Sequence, residues 1–186
     1  MNLQIGEELI RFTMTIMNEL QKKSLYGSHM PVLAKIMDLS DGPVLELGMG
    51  IYSTPLLDMM CKEQKRELIS YDNDPKWFKE NEKWTSDYHK VYFVEDWDEI
   101  EVELVTSHWG VAFIDHKPAK RRKVEMKLLA QHANYVIVHD TEPESDKFFK
   151  YTWMHKYYKY QWNYTKARPH TSVFSNFIDL QGLDRK

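Results

Sequence analysis

Five acidic side chains stand in or directly after short apolar runs of the sequence. They are Glu46, Asp72, Asp96, Asp115 and Asp140. A carboxylate can accept hydrogen bonds from sugar hydroxyls, take a proton from a reacting group, or bind a hard cation. These acids can act together only if the secondary-structure elements that carry them lie side by side. The arrangement of those elements therefore decides which chemistry the acids can perform.

The apolar runs are short and continuous, which is typical of strands covered on both faces. They are Pro43–Leu47, Glu67–Tyr71, Val91–Val94, Val111–Ile114 and Tyr135–Val138. Helical patterns lie between them, over Thr54–Lys62, Pro75–Trp84, Trp97–Glu101 and Pro118–His132. This alternation predicts an α/β fold whose parallel sheet has right-handed crossovers and helices on both faces.

Ligands bind such sheets at the carboxyl ends of the strands. Gly48 and Gly50 follow the first run, where a tight turn would bring the backbone close to a ligand and the next helix would offer free amides. Asp72 ends the second run and can accept from both hydroxyls of a ribose. Asp96 follows the third, where it offers an acceptor for an adenine amino group beside the aromatic Trp97.

This ordered set of a glycine loop and acids at successive strand ends resembles the class I S-adenosylmethionine-dependent methyltransferases, over about residues 28–178. The resemblance implies a Rossmann-like, doubly wound, mostly parallel seven-stranded sheet with an antiparallel C-terminal strand and N-terminal helices. It also implies S-adenosylmethionine as cofactor. The residues that it assigns to the cofactor are Glu46, Leu47, Gly48, Gly50, Tyr71, Asp72, Asn73, Asp96, Trp97 and Asp115.

The resemblance further implies methyl transfer beside the fourth and fifth strand ends. The candidate catalytic residues there are Asp115, His116, His139 and Asp140, and a histidine titrates near neutral pH. In metal-assisted O-methyltransferases of this class, carboxylates at these two strand ends bind a divalent cation, and Asp115 and Asp140 match them. His139 and Thr141 replace the usual second acid, and magnesium prefers oxygen ligands, so the sequence leaves the metal open.

The preferred function is transfer of a methyl group to an oxygen of a small-molecule or saccharide-like compound, and two other functions stay open. One is an RNA methyltransferase that uses the basic stretch Lys117–Lys127, and the other is a non-catalytic Rossmann-like binding protein. Nicotinamide binding is disfavoured because Ser53 replaces the third glycine of the dinucleotide fingerprint. The basic stretch is predicted to be a solvated helix face with Val124, Leu128 and Leu129 packed inward, so a nucleic-acid partner is not expected.

The last part of the chain is rich in aromatic residues over Phe148–Tyr164, with lysines between them. A helix over Phe148–Tyr158 that packs its rings onto the sheet is preferred to a sugar-binding or dimer surface. Tyr160–Thr165 and Thr171–Phe177 are predicted to form an antiparallel hairpin at the sheet edge.

A helix with its apolar stripe over residues 5–20 and a second helix capped by Ser28 precede the sheet. We therefore expect a single domain over residues 1–186, with a helical cap at 1–39 and the core at 40–178. The cap could cover the pocket or form a homodimer. The chain of 186 residues has a net charge of −3, one cysteine and no apparent signal peptide or membrane span, so a cytoplasmic location is expected.

Overall fold

One seven-stranded sheet organises the computed structural model, which describes residues 27–184. Its strands are β1 (Val44–Leu47), β2 (Leu68–Asp72), β3 (His89–Phe93), β4 (Trp109–Ile114), β5 (Ala133–His139), β6 (Tyr160–Tyr164) and β7 (Thr171–Ser175). Their order is β3-β2-β1-β4-β5-β7-β6. The first five are parallel, and β7 runs antiparallel to both β5 and β6. The predicted mostly parallel sheet and its antiparallel C-terminal strand are confirmed.

Side chains of the central strands alternate between two apolar cores, one on each face of the sheet. On β4, Val111 and Phe113 face one core, whereas Ala112 and Ile114 face the other. The helices are α1 (Met30–Leu39), α2 (Ser53–Gln64), α3 (Pro75–Asn81), α4 (Glu101–Thr106), α5 (Arg122–Leu129) and α6 (Pro143–Phe149). Helices α1 and α2 cover the first core, while α4 and α5 cover the second, so both faces of the sheet are buried.

The structure corrects two of the predicted helices. Ser28 does not cap α1: the helix begins at Met30, its N-cap residue is His29, and no side chain caps it. The helix predicted over Phe148–Tyr158 is instead α6 followed by a 3₁₀ helix at Tyr151–Tyr157, because Lys150 between them adopts a left-handed conformation with φ of 58°. The helix predicted before residue 27 lies outside the described residues.

Most of the C-terminal aromatic rings pack against the sheet, as predicted. Tyr151 and Tyr158 are buried in the core beneath α5, and the side chains of Tyr160 and Trp162 on β6 pack against the other core. Trp153 instead lies on the surface, since 68% of it is exposed. Between residues 27 and 184, no helix has the length and apolar character needed to span a membrane.

Candidate functional site

The glycine loop after β1 lies against the end of β4. Gly48 has a φ of +96°, and a Cβ built on it would lie only 2.4 Å from the backbone nitrogen of His116. The Gly48 amide donates to the carbonyl of Tyr71, while the Asp115 amide donates to the carbonyl of Leu47. Glycine is therefore required at position 48 both by the backbone conformation and by the close approach of two strand ends.

Asp72 joins the end of β2 to this loop. Its Oδ2 accepts a hydrogen bond from the Met49 amide at 2.7 Å, and its Oδ1 accepts from the Asp74 amide at 2.7 Å. Burial raises the pKa of Asp72 to about 6, although these two amide donors oppose the change. An ionised carboxylate can accept about four hydrogen bonds, so Asp72 retains acceptor capacity for two ribose hydroxyls.

Two of the predicted cofactor residues point into the interior instead of towards the loop. Tyr71 packs in the apolar core, where its hydroxyl donates to Glu103 Oε2 at 2.5 Å and its ring stacks on Tyr92. Leu47 is fully buried in the same core. Their side chains therefore support the strand ends, and only their backbone atoms lie in the loop.

Glu46 is fully buried beneath the glycine loop. Its carboxylate lies 2.7 Å from Ser70 Oγ and 3.1 Å from Thr54 Oγ1, so it connects β1 to β2 and α2. The contacts continue from Ser70 to His89 Nε2 at 2.9 Å, and from His89 Nδ1 to Asp58 at 2.9 Å. Burial raises the pKa of Glu46 to about 7, although the hydroxyls of Ser70 and Thr54, which donate to its carboxylate, oppose the change.

The raised pKa of Glu46 predicts a measurable dependence of stability on pH. Folding favours the protonated acid, so this contribution is complete below pH 4.5 and is lost as the pH rises to about 7, by about 3 kcal/mol at most. In the E46Q variant this loss is absent. We expect the difference in unfolding free energy, E46Q minus parent, to rise between pH 4.5 and 7 in urea titrations.

The exposed Glu67 provides a matched control for this experiment. The E67Q variant should follow the parent protein at every pH, because that side chain lies in solvent. A difference between E46Q and the parent that stays constant from pH 4.5 to 7 would show that folding does not raise the pKa of Glu46.

A cavity of about 450 Å³ opens at the ends of β2 and β3, which is a size typical of small-molecule sites. Asn73, Asp96 and Trp97, three of the predicted cofactor residues, line it. Asp96 is exposed and caps the 3₁₀ helix at Trp97–Ile100 by accepting from the Asp98 amide at 3.1 Å. Its carboxylate therefore already has one fixed partner and keeps further acceptor positions.

Trp97 and His116 form the buried wall behind this cavity. Trp97 is 2% exposed, donates from Nε1 to the Lys117 carbonyl at 2.8 Å and has its ring centroid 4.1 Å from that of His116. His116 Nε2 lies 3.1 Å from Glu125 Oε2. His116 is thus not a solvated loop residue, because it is buried between Trp97 and Glu125.

Arg122 is a residue of this candidate site that the sequence analysis missed. It was expected on a solvated face, but it is 3% exposed and its guanidinium bridges Asp115 and Asp140 at 2.9 and 3.0 Å. It also donates to the carbonyls of residues 115, 116 and 139. Its helical spacing could have revealed it, because Arg122 shares a face of α5 with the buried Met126 and Leu129.

His139 adjoins the same ion pairs. Its Nε2 lies 2.8 Å from Ser28 Oγ and its Nδ1 lies 3.2 Å from Asp115 Oδ2. Burial lowers the pKa of His139, but the nearby Asp115 carboxylate outweighs this effect and the net pKa is raised. Burial likewise opposes ionisation of Asp115, yet His139 and Arg122 lower its pKa to about 2. The two strand ends therefore hold an ion-paired, polar group of side chains.

A cation held by the Asp115 and Asp140 carboxylates alone does not fit this arrangement. The Arg122 guanidinium bridges the two side chains and already neutralises much of their charge. Asp140 also does not cap the helix that follows, since the N-cap residue of α6 is Glu142. The structure thus brings the two acids together around an arginine.

Comparisons with known proteins agree with this architecture. No family model matches the sequence, and no curated protein is significantly similar to it. Solved structures do match. Human methyltransferase-like protein 13 in complex with SAH has a TM-score of 0.58 at 13% identity, covering 78% of this chain and 76% of that chain. The chain has the class I methyltransferase fold.

Two further methyltransferase structures show the same likeness. SAH-bound methyltransferase PaMTH1 from Podospora anserina has a TM-score of 0.55 at 10% identity, over 78% of this chain and 77% of that one. Streptococcus pneumoniae Sp1610, a putative tRNA (m1A22) methyltransferase in complex with S-adenosyl-L-methionine, has a TM-score of 0.53 at 13% identity, over 83% and 76%. The methyltransferase fold also differs from the dinucleotide-binding order 3-2-1-4-5-6, because β7 is inserted between β5 and β6.

Proposed function

We propose that this chain binds S-adenosylmethionine at the ends of β1 to β4 and transfers its methyl group to an oxygen of a small-molecule or saccharide-like acceptor. One observation carries the proposal. The Gly48 loop, Asp72 and the 450 Å³ cavity lie along one edge of the sheet, next to the ion-paired Asp115 and His139. A nucleoside cofactor and a proton-accepting group would then be neighbours.

The ribose and adenine of the cofactor would contact polar groups at successive strand ends. Asp72 would accept from the ribose hydroxyls while it holds the loop amide of Met49. Asn73 and Asp96 would contact the adenine side, because both line the cavity. Glu46 would act indirectly, since it is buried and orients the loop through Thr54 and Ser70.

Transfer breaks the bond between sulfur and the methyl carbon and forms a bond from that carbon to the acceptor oxygen. The sulfonium becomes a thioether, and the acceptor hydroxyl loses its proton. The enzyme's main tasks are alignment of the acceptor and exclusion of water. Asp115 and His139 would remove the proton, and Arg122 would hold Asp115 and Asp140 in place by bridging them.

Calorimetry tests the cofactor part of the proposal. We expect S-adenosylmethionine and its demethylated product to bind with one-to-one stoichiometry, and NAD to give no binding heat. The oxygen acceptor is tested by transfer of a labelled methyl group to a panel of hydroxylated compounds and saccharides. Absence of binding by both sulfur nucleosides would refute the proposal.

An RNA acceptor is the second candidate. Arg121 and Arg122 are occupied by ion pairs, yet four lysines of the basic stretch remain exposed, namely Lys117, Lys120, Lys123 and Lys127. Lys120 and Lys123 line the cavity, and Sp1610 is described as a putative tRNA methyltransferase. An RNA substrate requires binding that weakens steeply with salt, whereas salt-independent binding or none would exclude it.

A further inference from the structure

The residue directly before α1, His29, is buried, and its ring nitrogens make no hydrogen bonds to the described part of the chain. Only 3% of this residue is exposed. Its ring packs against Phe113 and against the edge of His139, with centroids 5.0 and 4.8 Å away. Burying two unpartnered ring nitrogens costs free energy, so such an arrangement calls for a ligand or a function.

The hydrogen bonds of His139, whose ring contacts that of His29, also indicate room for a positively charged group. Ser28 Oγ donates its proton to the Pro169 carbonyl at 2.7 Å, so it can only accept from His139 Nε2. Nδ1 of a neutral His139 then presents a lone pair to Asp115 Oδ2 at 3.2 Å. Two lone pairs that face each other repel, unless a proton on Nδ1 or a metal ion lies between them.

Asp115, at the end of β4, forms a cluster of three possible metal ligands with His29 and His139. His29, Asp115 and His139 each offer a ligand atom, and these atoms all lie within 4.8 Å of one another. We propose that these three residues bind one first-row divalent metal ion in a two-histidine, one-carboxylate site at the acceptor end of the sheet. This site differs from one held by Asp115 and Asp140, because it uses nitrogen donors together with Asp115 Oδ2, whereas Arg122 Nη2 contacts Asp115 Oδ1.

The donor set selects the kind of ion. Two imidazoles and one carboxylate suit zinc, manganese, cobalt, nickel or ferrous iron, whereas magnesium and calcium prefer oxygen ligands. Ligand atoms about 2 Å from a metal are separated by roughly 3–3.5 Å. The pair of His139 Nδ1 and Asp115 Oδ2 is already at 3.2 Å, so closure of the site requires mainly a movement of His29.

Charge and the surrounding groups also favour a cation. Metal binding requires a neutral His139, and Asp115 and Asp140 then carry two negative charges against the single positive charge of Arg122, which leaves one net negative charge for the ion. Metal-bound histidines usually donate their second ring N–H to an oxygen, and His139 Nε2 has Ser28 Oγ as that acceptor. Three protein ligands leave coordination positions open, as in catalytic zinc sites.

Only the role of the ion rests on the proposed function. There it would hold the acceptor oxygen and make its hydroxyl easier to deprotonate. With the ion bound, this would replace direct proton removal by Asp115 and His139, because their lone pairs are then used as ligands. Binding of the ion is an independent property, so it is measured without any sulfur nucleoside, and cofactor binding is measured separately in the presence of EDTA. Failure of one result therefore leaves the other intact.

The experiment uses the full chain without a purification tag, treated with EDTA and then dialysed. We expect Zn²⁺ to bind one-to-one by calorimetry and to raise the melting temperature, whereas Mg²⁺ does neither. Co²⁺ should give visible absorption bands that report nitrogen and oxygen ligands. The H29F variant retains a ring against Phe113 and should weaken Zn²⁺ binding at least tenfold, and S28A should weaken it by about tenfold.

The matched control is H155F, since His155 is an exposed histidine elsewhere on the protein. It should bind Zn²⁺ as the parent does. The proposal is overturned if the parent binds no Zn²⁺, or if H29F and S28A, folded by circular dichroism, bind it as tightly as the parent. Equal losses in H29F and H155F would also overturn it, because they would indicate adventitious binding at surface histidines.

Discussion

Replacing Arg122 with alanine is expected to lower the free energy of unfolding by about 3–5 kcal/mol, the range seen when one partner of a buried ion pair is removed. The change leaves Asp115 and Asp140 without their shared cation and frees three backbone carbonyls that Arg122 now satisfies. The carboxylates at the two strand ends would then repel each other. Urea unfolding of R122A and the parent at neutral pH measures the difference.

Two variants make this result specific to the guanidinium. K123A changes the next residue of α5, which is exposed, and should alter stability by less than about 0.5 kcal/mol. R122K keeps the charge but cannot span both carboxylates with a planar fork, so its stability should fall between those of R122A and the parent. Equal stability of R122A and K123A would contradict the bridging role.

Replacing Asp72 with alanine is expected to weaken S-adenosylmethionine binding by about a hundredfold. Hydrogen bonds to charged groups contribute about 1.5–3 kcal/mol each, and the variant loses the acceptor for two ribose hydroxyls. It also frees the Met49 amide, so the glycine loop loses its attachment to β2. Calorimetric titration below the melting temperature of each variant gives the affinities.

The comparison for this prediction is D87A, which makes the same change at an exposed acid near the amino end of β3, at the opposite edge of the sheet. We expect it to bind the cofactor as the parent does. D72N retains one oxygen acceptor and should lie between D72A and the parent. Unchanged affinity in a folded D72A protein would remove Asp72 from the cofactor site.

The strands could be predicted because a sheet covered on both faces demands continuous apolar runs. The run Tyr135–Val138 lies inside β5, and the errors are a few residues at strand ends, where burial ceases. The placement of Asp72 and Asp115 at one edge could also be predicted, since parallel strands all present their carboxyl ends there. These positions depend only on backbone direction.

The partners of the site residues could not be predicted, because they depend on side chains that meet only in three dimensions. His29 and His139 are separated by 110 residues along the chain, yet their rings touch. Arg122 belongs to a run of basic residues, and composition alone does not distinguish it from the exposed Lys123. Likewise, nothing local indicates that His116 points towards Glu125 instead of solvent.

The bridge that Arg122 forms between the ends of β4 and β5 has an energetic consequence for anything that binds there. Its bonds to side chains and backbone of both strand ends assemble this part of the site before a ligand arrives. Less conformational entropy is then lost on association, and a larger share of the contact energy becomes affinity. Amide hydrogen exchange at these strand ends should accordingly be slow in the free protein and change little when the site is filled.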